Sequence, residues 1–269
     1  MILIRKIYWK IRWKLLASPL VVRNWHNGYT IRLPRSGSAA QIFYRRYSEP
    51  GIAAWMGDHL RNGDRFVDIG AHVGEYSLIA ASAIQPGGQI IALEPQEDLC
   101  GIIADNFRAN NLKNCRVVHG ALGERVGHCK VLSDNKTKGA LITTGTGGEL
   151  INMVDLTALV GDEPWNGRTW IKLDAAGFEA QCLMSSKDFV KRHSIHLIVK
   201  AYNKHEVSTR FPEIQASIPE IMDSIGYQCF IYEGGRMKEW SRIVSGYGDT
   251  VICLPEGSEL NPLQGSHGF

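Results

Sequence analysis

Residues 66–74 read Phe66-Val-Asp-Ile-Gly-Ala-His-Val-Gly74, and the fold turns on how these nine residues are taken. A hydrophobic run carries Asp68 near its end. Gly70 and Gly74 then bracket a turn into an apolar stretch, Glu75 to Ile84, that reads as a helix. Glycines at a strand-to-helix turn let the backbone approach a ligand, and the following helix offers free N–H groups. A dinucleotide fingerprint needs G-x-G-x-x-G, but His72 stands at the middle glycine. Asp68 just before the turn would also repel a pyrophosphate. It suits a ligand bearing cationic groups, such as the amino and sulfonium centres of S-adenosylmethionine.

Outward from the turn, Ile90-Ile-Ala-Leu-Glu-Pro95 is a second apolar run, ending in Glu94 twenty residues after Gly74. A carboxylate there can accept from both hydroxyls of a ribose diol. Glu94 alone reads equally well as a capping acid for the helix that follows; paired with the Asp68 turn, it points to a nucleoside.

The same alternation extends in both directions. Helix is expected over Ile52–Leu60, strand over Arg65–Ile69, helix over Glu75–Ile84 and strand over Gln89–Glu94. A helix over about Gln96–Asn110 and a strand at Cys115–His119 follow. Regular βαβ order implies a parallel sheet with helices on both faces. Between about 127 and 155 the pattern becomes short β-like pieces, His128–Leu132, Ala140–Thr143 and Leu150–Val154. They surround a glycine-rich stretch, Thr143 to Gly148, read as a lid or a loop, and the whole segment reads as a β insertion or a strand pair beside the sheet. The α/β pattern resumes with strand Thr169–Leu173, a helix after Phe178, strand Ile195–Ala201, helix Pro212–Ile225, and strands Tyr227–Ile231 and Thr250–Leu254. Near the N-terminus, Tyr29–Leu33 and Gln41–Tyr44 look like strands. The organisation read is 1–48 as a basic helix with lead-in strands, 49–254 as the main domain and 255–269 as a flexible tail.

With 269 residues, 44% hydrophobic and 21% charged, the chain has ample material for a core, and whole-chain disorder is excluded. No uninterrupted apolar run approaches about 18 residues, so no membrane span is expected. Six cysteines with no C-x-x-C pair read as reduced, mostly buried thiols of a cytosolic protein rather than a zinc or disulfide framework. The net charge of +3 is unevenly spread. Residues 1–48 hold ten lysines and arginines and no acid, whereas the remainder holds 20 basic and 27 acidic residues. Ile4, Ile7, Tyr8, Ile11 and Leu15 share one helical face, with Trp9 and Trp13 towards the back. Two readings stay open for residues 1–17: a helix on a membrane interface, or one docked on the domain.

The ordered set of motifs resembles the FkbM-type family of class I S-adenosylmethionine-dependent methyltransferases. It comprises Tyr47-Ser-Glu-Pro50, Val67-Asp-Ile-Gly-Ala-His-Val-Gly-Glu-Tyr-Ser77, Ala92-Leu-Glu-Pro95, Asn106 to Asn110, Val117 to Glu124 and Trp170-Ile-Lys-Leu-Asp-Ala-Ala-Gly-Phe-Glu179. The likeness covers about Tyr47 to Tyr232. It implies a Rossmann-like, doubly wound, mostly parallel seven-stranded sheet whose last strand is antiparallel. It also implies methyl transfer to a hydroxyl of a sugar, glycolipid or natural product, leaving S-adenosylhomocysteine as product. Donor-binding positions implied by the match are Glu49, Asp68, Gly70, Ala71, His72, Gly74, Glu75, Glu94, Pro95 and Ala121. By motif position Asp174 is the base or acceptor-orienting candidate, with Glu179 and Lys172 second and His72 third. Strand-end lysine and first-turn acid are the plain structural readings of Lys172 and Glu179.

Two departures stand out. Ala176 lies where the family carries an acid, and Lys200 lies near a strand end where it often carries a glutamate. They motivate an alternative: a catalytically impaired, methyltransferase-like binding or scaffold protein that keeps the nucleoside pocket. Some sugar methyltransferases use magnesium, but no metal set can be assembled here. Trp165 and Trp170 are read either as core or as a stacking face for a sugar ring. A nicotinamide enzyme is disfavoured by His72 and Asp68. A nucleic-acid partner is disfavoured because no N/D-P-P-Y/F motif is present and the excess basic charge is confined to residues 1–48. The expected setting is cytoplasmic, with residues 1–17 as a peripheral contact at the inner membrane surface.

Overall fold

Arg65–Ile69 and Thr169–Leu173 are buried at every position, as strands covered on both faces must be. They are the adjacent central strands of the computed structural model, which describes residues 2–133, 140–143, 148–201, 217–240 and 249–262. The N-terminal elements are α1 (Ile2–Leu15), β1 (Leu20–His26), β2 (Tyr29–Leu33), α2 (Gly37–Arg45) and α3 (Pro50–His59). The βαβ body follows: β3 (Arg65–Ile69), α4 (Glu75–Ile84), β4 (Gln89–Glu94), α5 (Glu97–Ala109) and β5 (Cys115–His119). The insertion comprises β6 (Ala121–Leu122), β7 (Gly127–Ser133), β8 (Ala140–Thr143) and β9 (Glu149–Val154). Then come α6 (Leu156–Val160), β10 (Thr169–Leu173), α7 (Glu179–Arg192), β11 (His196–Ala201) and α8 (Ile218–Asp223). The last three are β12 (Tyr227–Glu233), β13 (Arg236–Glu239) and β14 (Asp249–Pro255).

The main sheet runs β13-β12-β14-β11-β10-β3-β4-β5. Neighbours from β11 to β5 are parallel, and β14 enters antiparallel between β11 and β12. This is the expected α/β sheet of seven mostly parallel strands with the last one antiparallel. The edge strand β13, hairpinned onto β12, is an eighth that the sequence reading did not contain. One core cluster includes Trp55, Leu78, Ile79 and Ile103; the other includes Val67, Leu183, Val199 and Met222. The insertion forms a separate four-stranded sheet, β6-β9-β7-β8, around Ala121, Val131 and Ile151.

Several expectations need correction. Gln41–Tyr44 is not a strand but part of α2, whose Ser36 hydroxyl accepts from Ala39 N–H at 3.1 Å. That N-cap and the buried Ala39 and Ile42, three apart, give the helical period that a four-residue window conceals. Trp170 is fully buried and Trp165 donates to the Gly63 carbonyl at 2.7 Å. Both lie at the starts of β10 and β3, the opposite end of the sheet from the glycine turn, so neither forms a sugar platform there. Within the expected flexible tail, Ser258 and Asn261 are buried. Residues 144–147 of the expected glycine-rich lid, 212–216 of the expected helix and 263–269 of the tail lie outside the described residues. Cys229 and Cys253, well separated in sequence, are direct partners across β12 and β14, with sulfurs 2.6 Å apart.

Helix α1 docks on α2 through the side read as its back. Trp9 is buried against Phe43, and Arg12 donates to the Ser18 carbonyl at 2.7 Å. The apolar face read from the sequence points away from the domain: Ile4, Ile7, Tyr8, Ile11 and Leu15 are all at least half exposed.

Candidate active site

From β3 the chain winds outward through β4 and β5 on one side, while β10 and β11 lie on the other. Such a switch point leaves a crevice beyond the carboxyl ends of the central strands. Gly70 and Gly74 both adopt positive φ, 72° and 76°, and Gly70 passes so close to β10 that a Cβ there would meet the Asp174 carbonyl at 2.0 Å. Gly70 and Ala71 N–H groups donate to the Leu93 carbonyl at 2.9 and 3.1 Å, tying the turn to β4.

Asp68 is completely buried. Its Oδ2 accepts from the Ser77 N–H at 3.0 Å and hydroxyl at 2.7 Å, fixing the first turns of α4. Its Oδ1 has no hydrogen-bond partner and lies 3.6 Å from the Lys172 ammonium. Lys172 pairs in register with Asp68 across β10 and β3. Its Nζ donates to the Gly70 carbonyl at 3.1 Å and lies 3.7 Å from Asp174 Oδ2. Burial works against the Lys172 charge, but Asp174, Asp68, Glu49 and Glu94 overcome it and hold its pKa above the ordinary lysine value. Asp174 is one-third exposed at the crevice.

Glu94 ends β4. It accepts from His72 N–H at 2.7 Å and Gln96 N–H at 3.1 Å. Burial pushes its pKa up to about 7. A carboxylate has about four lone-pair sites, so two remain for a ribose. The half-buried His72 ring is held neutral, its pKa lowered to about 4 by desolvation and then by Lys172. Its Nε2 has no hydrogen-bond partner.

A polar network whose pairing the sequence did not reveal lies on the far side. The Lys200 ammonium donates to Glu49 Oε1 at 2.9 Å and the Thr250 hydroxyl donates to the same oxygen at 2.6 Å, while the Tyr76 hydroxyl donates to Oε2. Burial alone would raise the Glu49 pKa; Lys200 and these hydrogen bonds outweigh it and lower the value. Glu75 accepts from the Ser48 N–H at 2.8 Å and its hydroxyl at 2.5 Å, and burial raises its pKa to about 7. Thus Glu49 and Glu75 lie beside the crevice with carboxylates engaged by the protein. Tyr76, Ser77 and Thr250 were missed as individual residues; the spacing from Asp68 to Ser77 was the available signal.

Glu179 turns back on its own loop, accepting from Ala175 N–H at 2.6 Å and Gly177 N–H at 3.1 Å. Its pKa is raised to about 8 by burial and then by Asp174. Ala176 in that loop has φ 53°. Pro95 offers its carbonyl to His119 Nε2 at 2.9 Å, and Ala121 packs into the core of the insertion. The sequence candidates therefore divide: Asp68, Gly70, Ala71, His72, Gly74, Glu94, Lys172 and Asp174 converge on the switch point. Ala121 and the Glu179 carboxylate are turned to other partners.

These residues fit S-adenosylmethionine. Two open acceptor sites on Glu94 match a diol, and Asp68 Oδ1, paired with Lys172 but without a hydrogen bond, and His72 Nε2 supply further polar atoms in a net acidic setting. Among the described residues, no three His, Cys, Asp or Glu side chains are grouped to hold a metal ion.

The sheet order, the glycine turn and the acid on the neighbouring strand define an S-adenosylmethionine-dependent methyltransferase. The chain belongs to the FkbM methyltransferase family: the methyltransferase FkbM domain matches residues 68–229, more than half its length. No curated protein sequence matches it significantly. Among solved structures, a methyltransferase FkbM from Methylobacillus flagellatus KT is similar with TM-score 0.47 and 14% identity, over 82% of this chain and 56% of that one. Precorrin-6y C5,15-methyltransferase from Geobacter metallireducens GS-15 gives TM-score 0.42 and 17% identity over 77% and 88%. M. jannaschii TYW2, in complex with AdoMet, gives TM-score 0.47 and 11% identity over 89% and 86%.

Proposed function

We propose that this enzyme methylates a hydroxyl oxygen of a sugar, glycolipid or natural product in a cytoplasmic setting. The observation that carries this reading is the disposition of Asp174. Of the three candidate side chains in the Lys172–Glu179 motif, it alone reaches solvent at the crevice, while Lys172 and Glu179 are buried. S-adenosylmethionine, when bound, supplies a methyl group already activated by its sulfonium. The chain's own residues then have two tasks, alignment and deprotonation. Glu94 and the Gly70–Gly74 turn hold the nucleoside. Asp174 accepts the proton of the acceptor hydroxyl, and Lys172, 3.7 Å from its carboxylate, holds it in place.

The Lys200 departure does not leave a bare cation at the rim, because Glu49 neutralises it at 2.9 Å. This favours turnover over the impaired-scaffold alternative. The test is methyl transfer from labelled donor to a panel of sugar, glycolipid and phenolic hydroxyl acceptors, by wild type and Asp174→Asn. Turnover that Asp174→Asn reduces about 10²–10⁴-fold, with donor affinity kept, is the expected result. Unchanged turnover removes Asp174 as base; labelling of an amine, a carbon or RNA instead replaces the hydroxyl assignment.

A further inference from the structure

We propose that α1 and the arginine-lined cavity beside it form a docking surface for an anionic lipid bilayer. The helix is oriented by its docked side: Trp9 stacks on Phe43, Trp13 meets Trp9 edge-on, and Arg12 is buried over the Ser18–Pro19 carbonyls. That side fixes what the opposite one presents. Leu3, Ile4, Ile7, Tyr8, Ile11 and Leu15 are between 51% and 75% exposed, an apolar surface that no described residue buries. Large exposed apolar patches on a soluble protein mark a contact surface.

Charge identifies the occupant. Lys6, Lys10 and Lys14, spaced by four, form an exposed row along one shoulder of the apolar stripe. On the other shoulder a cavity is lined by Arg5, Arg23 and Arg46 together with Trp25 and Phe43. None of these arginines is in an ion pair among the described residues, and no acid occurs before Glu49. An aliphatic stripe between basic shoulders matches acyl chains below anionic headgroups, and the three arginines suit a lipid phosphate. A nucleic acid would use the cations but leave six aliphatic and aromatic side chains in water. At 14 residues, about 21 Å long, α1 is too short to span a hydrocarbon core of about 30 Å and lies on the surface instead. Phe43, under α1, and Glu49, at the crevice, are six residues apart, so their backbones are separated by no more than about 20 Å. The docked surface thus keeps the crevice close to the bilayer.

The test is co-sedimentation of the full chain with phosphatidylcholine vesicles, with and without 30 mol% phosphatidylglycerol. Pelleting on the anionic vesicles only, relieved by raised salt, is expected. Ile7→Ser with Ile11→Ser should weaken it roughly tenfold or more, and Lys6→Gln with Lys10→Gln and Lys14→Gln about a hundredfold. Both sets lie at exposed positions, so melting temperatures close to wild type accompany the loss. Three results overturn the proposal: equal pelleting on neutral vesicles, pelleting unchanged in either variant, or a concentration-dependent dimer that the serine variant dissolves. Displacement of the vesicles by single-stranded RNA at equal phosphate concentration overturns it as well.

Discussion

Glu94 carries two duties with one carboxyl group: it accepts from His72 N–H at 2.7 Å to hold the turn, and it keeps acceptor sites open beside it. The two duties separate by substitution. Glu94→Gln keeps an oxygen for only one of the two backbone N–H groups and sets its NH2 against the other, so donor affinity should fall about tenfold at a stability cost of about 1 kcal/mol. Glu94→Ala removes both and should weaken donor binding more, at a stability cost of about 1–3 kcal/mol from the unpaired N–H groups; calorimetric titration and thermal melting read the two effects separately. Ala176 offers a second residue-scale test. Its φ of 53° is a left-handed conformation that costs a non-glycine residue about 1 kcal/mol. Ala176→Gly should therefore leave stability equal or raise it by up to about 1 kcal/mol in chemical denaturation, whereas Ala176→Glu restores the family's acid and should raise turnover.

The βαβ run was the most legible element in the sequence, and the N-terminal unit the least. Strands β3, β4 and β5 have the bounds read from the sequence, because each is flanked by turn residues; β3 and β4 are short core strands, whereas β5 is a half-buried edge strand. Element α2 was misread because Gln41–Tyr44 alternates equally well at either period, and its Ser36 cap lies outside that window. Which side of α1 docks was hidden for another reason. Periodicity finds the apolar stripe, but stacking on Phe43 selects the tryptophan side. At the junction of elements, Gly70 is the position least tolerant of change, since it combines φ 72° with a 2.0 Å clash to the Asp174 carbonyl. Gly70→Ala should cost more than about 2 kcal/mol in denaturant unfolding and push β3 from β10, lowering donor affinity together with stability.

Across the whole molecule, the rim charges come from residues far apart in sequence. Glu49, Lys200 and Thr250 meet only because β11 and β14 pair in register beside the α3 entrance, a contact that no local pattern encodes. Burial of Glu75, Glu94 and Glu179 also leaves a global pH signature. Their folded values of about 7, 7 and 8 lie above the ordinary 4.5, so the folded state holds protons that the unfolded state releases. Stability contributed in this way is present at low pH and lost as pH rises through the folded values. His26, His72 and His196, all lowered by desolvation, act oppositely, and their opposing contribution fades only above their ordinary 6.5. From pH 6.5 to 8 the carboxyls dominate, and unfolding free energy without ligand should fall by roughly 2 kcal/mol in denaturant titrations. A flat profile would show these carboxyls ionised in the folded state. The central claim, that the Gly70–Gly74 turn and Glu94 hold the methyl donor, is tested most directly by calorimetric titration of wild type and Glu94→Gln with S-adenosylhomocysteine. The expected result is one site per chain in wild type and about tenfold weaker binding in the variant. No binding to wild type, or equal affinity in both, would contradict the claim.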